Sequence, residues 1–289
     1  WCKINMKKNK LYFIGYGHMA EAIYQRLNKR PYENIFLIEK DKERRIYIDK
    51  KKYPKTHLLK SLDGIKFYNT DIIILAVKPN QIKPICKEIN SLILEEKDLP
   101  IVISIAAGVT TASIIDYIIQ DNLSQLQHPL SIFRAMPNLC AINGDSVTGL
   151  FGSSIDDKLN SKNTVSEIFN SVGEILWVKK ESDLNIVTAI SGSGPAYIFY
   201  IMEVMIKSAQ ELGLSEEDAK KLVAMTLIGS GKMGVSIQNL KDQISKVSSK
   251  GGTTEAALQV FDKENLNLIF NKAIKAAHTK SKEISQGNG

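Results

Sequence analysis

Cysteine is nearly missing from this chain. Three occur among 289 residues, at positions 2, 86 and 140. They are odd in number, far apart and without neighbouring histidines, which argues against a disulfide framework or a zinc site. Histidine is as sparse. His18, His57, His128 and His278 share no spacing, so each reads as a surface residue or a neighbour of a bound cofactor, and no metal is expected. Aromatic residues make up 7% of the chain. None interleave with Lys7-Lys8 or Lys50-Lys51-Lys52 as base-stacking platforms would. The net charge of +7 therefore reads as solvated faces with a mild pull on small anions, not as a nucleic-acid surface. No apolar run is expected to reach the length of a membrane span. The first ten residues, WCKINMKKNK, lack the apolar core and cleavage site of a secretory signal. Met6 is the expected natural start, with residues 1–5 as added or mis-assigned upstream sequence. With no address signal, the cytoplasm is the expected compartment.

What the chain does have begins at Lys10. Leu11-Tyr12-Phe13-Ile14 is a short apolar run, as a buried parallel strand would be. Gly15-Tyr16-Gly17 breaks it, and His18-Met19-Ala20 opens a helical pattern through Ile23 and Leu27. A G-x-G-x-x-A pattern between strand and helix is the setting of a dinucleotide fingerprint. Gly15 permits the tight turn, Gly17 lets a pyrophosphate approach the backbone, and Ala20 lets helix and strand pack closely. The helix N-terminus then offers free N–H groups and a positive dipole end to phosphate. A ligand-free strand-to-helix turn would use the same glycines.

The pattern repeats downstream. Asn34 to Glu39 reads as a second strand ending in an acid, 19 residues past Ala20, where this fold places a carboxylate on ribose hydroxyls. Lys40, Lys42, Arg44 and Arg45 follow and offer a rival role, holding a 2′-phosphate. Strands are expected at Asp71–Val77, Ile101–Ile105 and Ser131–Asn138, with helices at Gln81–Leu94 and Thr111–Gln120. Val165–Val172 reads as helix and Glu174–Val178 as strand. This alternation predicts an α/β fold with a doubly wound parallel sheet, its ligands beyond the strand C-termini. Past Glu181 no convincing strand remains. Leu184–Leu212 reads as one long helical stretch interrupted at Ser191-Gly192-Ser193-Gly194-Pro195, where a kink or close backbone approach is expected. Gly213 is placed as a C-cap and Ser215 as the next N-cap, with Asp218 at its box position. We expect a Rossmann-type dinucleotide-binding domain at 6–179 and an all-helical domain at 180–289, whose apolar helices call for a dimer.

A second anion site is expected at Ser248-Ser249-Lys250-Gly251-Gly252-Thr253-Thr254. Two glycines and four hydroxyls precede a clear helix. Free N–H groups at Gly251 to Thr254 would suit a carboxylate.

Taken together, FIGYGHMA (13–20), AVKP (76–79), SIAAGV (104–109), RAMPN (134–138), ISGSGPAYIF (190–199), GSGKM (229–233) and SSKGGTTEAAL (248–258) resemble pyrroline-5-carboxylate reductase, in that family's order and over nearly the whole chain. The resemblance implies NAD(P)H-dependent reduction of a cyclic imine to L-proline. Gly15, Tyr16, Gly17, His18, Met19, Ala20, Glu39, Lys40, Ala76, Val77, Lys78, Pro79, Ala106, Ala107 and Gly108 would then contact NADPH or NADH. Ser249, Gly251, Gly252, Thr253 and Thr254 would hold the substrate carboxylate, and Thr188 would sit at the substrate ring. A dimer, or a ring of dimers, would form through the helical domain, with neither nucleic acid nor membrane as partner. Leu139-Cys140, Asn185 and Lys250 depart from residues common in the family. A hydroxyacid dehydrogenase on the same fold would need a base, for which Lys78 is the one candidate. A redox sensor would have no use for a carboxylate cradle.

Overall fold

The computed structural model describes residues 10–27, 34–53, 55–68, 70–93, 100–119, 131–152 and 160–287. Cys2, Met6, Lys7, Lys8 and His128, with the expected helix ends Leu94 and Gln120, lie outside them. By its internal packing the chain forms two compact units, 1–192 with 278–289, and 193–277.

Short runs of Ile, Leu, Val and Phe build the sheet of the first unit. The strands β1 (Leu11–Ile14), β4 (Ile72–Leu75) and β5 (Ile101–Ser104) are buried at every residue. Covered on both faces, they have no reason to alternate polar and apolar side chains. With β2 (Ile35–Ile38), β3 (Thr56–Leu59), β6 (Ile132–Met136), β7 (Ser146–Gly152) and β8 (Gly173–Trp177) they form one sheet of order β3-β2-β1-β4-β5-β6-β7-β8. The first six strands are parallel. Their order, 3-2-1-4-5-6, is that of two mononucleotide-binding halves, with the switch point between β1 and β4.

Helices cover both faces. On one side α1 (His18–Leu27) and α5 (Ser161–Asn170) bury Ile23, Tyr24, Ile168 and Phe169. On the other, α3 (Pro79–Ile93) and α4 (Thr111–Ile119) bury Ile82, Ile89, Ile114 and Ile118. The short helix α2 (Lys42–Lys50) follows β2, capped by Asp41, whose carboxylate accepts the Arg44 N–H.

Two strands had no counterpart in the sequence reading. The outer strand β3 is partly exposed. The other, β7, runs antiparallel to β6 and carries Gly149 and Gly152. A Cβ at Gly152 would meet the Phe133 ring at 2.5 Å, and one at Gly149 would meet Val187 at 2.8 Å. These glycines lower strand propensity but permit close packing.

After β8 every regular element among the described residues is helical. The stretch Leu184–Leu212 resolves into α6 (Leu184–Val187), a π-turn (Thr188–Gly192) and α7 (Gly194–Glu211). Expectation and structure differ on the apolar length of this stretch. The helical run Glu181–Glu211 spans 31 residues and contains an 18-residue window of mean hydropathy 1.2, enough by length and composition to cross a bilayer. Its first turns belong to the sheet unit, where Leu184, Val187 and Ala189 are buried.

The second unit holds all of α7, α8 (Glu216–Ser236), α9 (Leu240–Val247), α10 (Thr253–Lys263) and the start of α11 (Leu266–Ser285). Its caps follow the sequence. Gly213 has φ +103°, and Leu214 N–H reaches the Ala209 carbonyl at 3.1 Å, which closes α7 with a Schellman turn. The Ser215 hydroxyl accepts the Asp218 N–H at 3.1 Å. Of this unit's apolar side chains only Ala219 and Val223 are buried, while Tyr200, Met225 and Val235 are 69%, 61% and 91% exposed. An apolar surface of this extent marks an association face.

Candidate functional site

The switch point is built from backbone. Gly15 has φ +87°, and a Cβ there would stand 2.7 Å from Val77 Cγ1 and 2.9 Å from the Ala76 carbonyl oxygen. Only glycine meets both demands. A Cβ at Gly17 would meet nothing within 4 Å, so the turn opens onto free space there. The N–H groups of His18, Met19 and Ala20 are the first three of α1 and have no intrahelical acceptor. Ala20 is buried against the sheet, as its place in the fingerprint requires. An open turn faced by unpartnered N–H groups fits a diphosphate.

Glu39 lies beside this turn and is pinned. Its Oε2 accepts the Tyr16 N–H at 2.8 Å and its Oε1 the Asp41 N–H at 2.9 Å. Each oxygen keeps a lone pair for a ribose hydroxyl. The basic cluster that follows is divided in its duties. Arg44 donates to the Tyr16 carbonyl at 2.7 Å and to Glu21 Oε2 at 2.6 Å. Arg45 donates to the carbonyls of Glu39 and Lys40 at 2.9 and 2.6 Å. Arg44 therefore braces the turn, and Arg45 the chain leaving β2. Lys40 and Lys42 are exposed, and Lys40 has only a loose 3.7 Å pairing with Glu88.

The Arg44 brace rests on Glu21, a buried acid on α1 with no signature in the sequence. Tyr47 and Tyr53 also donate to Glu21 Oε1, at 2.9 and 3.2 Å. Burial opposes its ionisation, but the hydrogen bonds from Arg44 and the two tyrosines outweigh it and hold the carboxyl below its usual 4.5. A depressed carboxyl stabilises the fold above its unfolded pKa, and the contribution disappears as pH falls through the folded value. Glu21→Gln should therefore cost stability at pH 7 and cost less in acid, as pH falls through the folded value, which lies below 4.5. Chemical denaturation at pH 7 and in acid checks this; an equal deficit at both would show that charge is not the cause.

The other cofactor candidates sit at the C-terminal ends of β4 and β5. Ala76 and Val77 face the Gly15 turn, while Lys78 and Pro79 are exposed at the start of α3. Ala106 is buried, with Ala107 and Gly108 half-buried. Gly108 has φ +80°, and a Cβ there would lie 3.0 Å from the Ile284 backbone, with Ile284 Cγ2 closer still. Just beyond, Glu181 accepts from the Thr111 N–H at 2.7 Å, the Thr111 hydroxyl at 2.9 Å and Arg134 at 3.0 Å. The Arg134 pair is nearly enclosed, with side-chain exposures of 9% and 20%.

Thr188 opens the π-turn, a local widening often found at functional sites. Its hydroxyl donates to the Leu184 carbonyl at 2.7 Å. The turn is tied to the end of β6, where the Asn138 amide donates to Ser191 Oγ at 2.9 Å and Ser191 in turn donates to the Val147 carbonyl at 3.0 Å. Leu139-Cys140 continues as a 3₁₀ turn, whose Cys140 N–H bonds Asn138 Oδ1 at 3.0 Å. The unfamiliar Cys140 thus steadies the residue that holds the π-turn.

In the second unit, the loop before α10 differs from expectation in its donors. Gly251, at φ +75°, gives its N–H to Glu255 Oε2 at 2.6 Å, and Gly252 gives its own to the Ser249 carbonyl at 3.0 Å. The N–H groups of Thr253 and Thr254, the first two of α10, have no intrahelical acceptor. No side chain caps this helix. A Cβ at Gly252 would press on Ser249, 3.0 Å from its carbonyl oxygen. The glycines shape the loop, and the threonines offer the donors. Lys250 is exposed.

Sequence alone missed Glu21, Glu181, Glu255, Ser281 and Ile284. Apart from Glu255, which lies four residues from its partner, each acts on a residue 23 or more positions away. No local pattern marks them.

This sheet order with a glycine turn at its switch point defines a nucleotide-dependent α/β protein of the doubly wound class. Residues 10–108 match a family profile described as NADP oxidoreductase, coenzyme F420-dependent, and residues 181–284 one described as pyrroline-5-carboxylate reductase dimerisation. A pyrroline-5-carboxylate reductase of Haemophilus influenzae is 31% identical over 288 residues, covering 96% of this chain and 98% of that protein. A solved pyrroline-5-carboxylate reductase from Coxiella burnetii is 35% identical, with a TM-score of 0.81 over 95% of this chain and 98% of its own. A pyrroline carboxylate reductase of Plasmodium falciparum, solved with NADP bound, is 27% identical, with a TM-score of 0.81 over 97% of this chain and 100% of its own. The chain belongs to the pyrroline-5-carboxylate reductase family.

Proposed function

We propose that this chain reduces 1-pyrroline-5-carboxylate to L-proline, the final step of proline biosynthesis, with NADPH or NADH as reductant. The observation that carries the reading is the presence in one family member of two separate anion-receptive helix N-termini, one at a dinucleotide turn and one sized for a carboxylate. The test is steady-state oxidation of each cofactor with the imine, using lactate-like hydroxyacids as controls. Turnover of the hydroxyacids alone would replace this reading with the dehydrogenase one.

The bound nicotinamide supplies the hydride that adds to the imine carbon. The chain's own part is placement. The His18 to Ala20 amides fit the diphosphate, Glu39 the adenosine ribose, and Ala76–Pro79 with Ala106–Gly108 line the remaining strand ends. The Thr253 and Thr254 amides and hydroxyls fit the substrate carboxylate, on a loop shaped by Ser249, Gly251 and Gly252. A protonated imine is already electrophilic, so no strong acid is required. The Thr188 proton is committed to the Leu184 carbonyl. Its lone pairs suit the N–H of the protonated ring, which makes Thr188 the holder of that proton.

Two outcomes are expected. Thr254→Ala removes a hydroxyl donor from a charged acceptor, worth about 1.5–3 kcal/mol, and should raise KM for the imine on the order of 10- to 100-fold with cofactor KM unchanged. Unchanged imine kinetics in folded protein would move the carboxylate elsewhere. Glu39→Ser should shift the ratio of kcat/KM towards NADPH by about tenfold, because a carboxylate pinned by two backbone amides repels a 2′-phosphate. Lys40 and Lys42, being exposed, would offset that repulsion only weakly in the parent, so both cofactors are expected to work. An unchanged ratio would place the ribose away from Glu39.

Self-association accords with the family dimerisation segment and with the exposed apolar side chains of α7 and α8. We take the second copy to cover the apolar part of Glu181–Glu211, which leaves that run no role in a membrane. A domain division at 179/180, dimers arranged in a ring and a cytoplasmic setting belong to the same proposal.

A further inference from the structure

The last turns of α11 return to the nucleotide loop. Ser281 is buried, and its hydroxyl donates to Asn185 Oδ1 at 2.8 Å. Ser285 donates to the same oxygen at 3.0 Å and shares its hydroxyl with the Ser281 carbonyl. Between them on the helix, Ile284 lies against Gly108, so closely that a Cβ at Gly108 would sit 3.0 Å from the Ile284 backbone. Asn185 is on α6, three residues ahead of Thr188 and four beyond Glu181. Glu181 already holds the far end of the same loop through Thr111. The segment 181–188 and the loop 106–111 are thus joined twice, once directly and once through the C-terminal helix.

We propose that Asn185, Ser281, Ile284 and Ser285 form a positioning latch that fixes the Ala106–Gly108 loop relative to Thr188. The inference rests on the proposed function in naming what lies on each side of the latch, the nicotinamide side of the cofactor and the substrate ring. Three features set it apart from ordinary packing. Two hydroxyls converge on one amide oxygen, where an apolar side chain of the same size would fill the space. The partners are 96 and 100 residues apart. The contact at Gly108 leaves no room for adjustment. Hydride transfer depends steeply on donor–acceptor distance, so a latch that lets the loop drift loses rate before it loses binding.

The test compares Asn185→Leu, which removes the acceptor at similar volume, with Asn185→Asp, which keeps it. The double variant Ser281→Ala, Ser285→Ala removes the donors without touching α6, and serves if Asn185→Leu does not fold. Hydrogen–deuterium exchange of the cofactor-free protein should rise in 105–111 and 184–192 for Asn185→Leu and for the double variant. Their kcat should fall at least tenfold, with a larger isotope effect from 4-deuterated NADPH and cofactor Kd within threefold. Asn185→Asp should recover most of the rate. Parent-like exchange and kcat in a folded Asn185→Leu or double variant would overturn the latch. So would loss of stability with kcat and isotope effect unchanged. If the parent chain does not reduce the imine, that reading falls alone, and the exchange data still decide the latch.

Discussion

Gly15→Ala is expected to weaken NADPH binding about 100-fold in a protein that still folds. A non-glycine residue at φ +87° costs on the order of 1–2 kcal/mol by backbone strain alone. The added Cβ also meets Val77 Cγ1 at 2.7 Å and the Ala76 carbonyl oxygen at 2.9 Å. Val77 can rotate, but a carbonyl at the end of a four-residue buried strand cannot. The chain must therefore move the turn away from β4 and disturb the amides of His18 to Ala20. A combined penalty of about 3 kcal/mol, expressed in binding, is roughly a hundredfold. Fluorescence titration gives the Kd, and a thermal melt confirms the fold. A Kd within threefold of the parent would show that the turn does not carry the nucleotide.

Glu181→Ala should cause the largest loss of stability outside the strands. It strands the enclosed Arg134 charge and removes the acceptor of both Thr111 groups. Breaking an enclosed ion pair from one side costs about 3–5 kcal/mol. For a domain of this size that is a fall of about 10 °C in Tm. Arg134→Met in the same background should recover part of it, because the uncompensated charge is then gone. A fall under about 3 °C for the single variant would mean that water or another acid replaces Glu181.

Legibility in the sequence followed the range of the interactions. β1, α1 and the Gly15 turn were readable because strand, turn and helix adjoin and the positive φ at Gly15 is itself a demand of the local turn. The cap of α8 was readable for the same reason, since Ser215 acts three residues away. The strand β7 was not, because its glycines are selected by Phe133 on the neighbouring strand and Val187 on α6. The basic residues after Glu39 were legible as a cluster but not as individuals. Folding turns Arg44 onto a carbonyl of the turn and Arg45 onto the carbonyls that follow β2, and leaves Lys40 and Lys42 outside. At the second loop, Gly251 offered its N–H on paper, and Glu255 takes it in the fold.

The sequence by itself determined the alternation of buried strands with helices, the position of the dinucleotide turn, the change to an all-helical chain after Glu181, and the family. Each is written in neighbouring residues, through hydrophobic period, turn chemistry or an ordered set of motifs. The tertiary structure alone decided which charged groups remain available to a ligand, which glycines are required for space, and how Asn185, Ser281 and Glu181 tie Thr188 to the loop after β5. Several of those outcomes depend on groups far apart in the chain, among them pairs 23 and 100 positions apart. Hydrogen-bond partners at such separations are fixed only when the sheet order and helix packing have closed the distance.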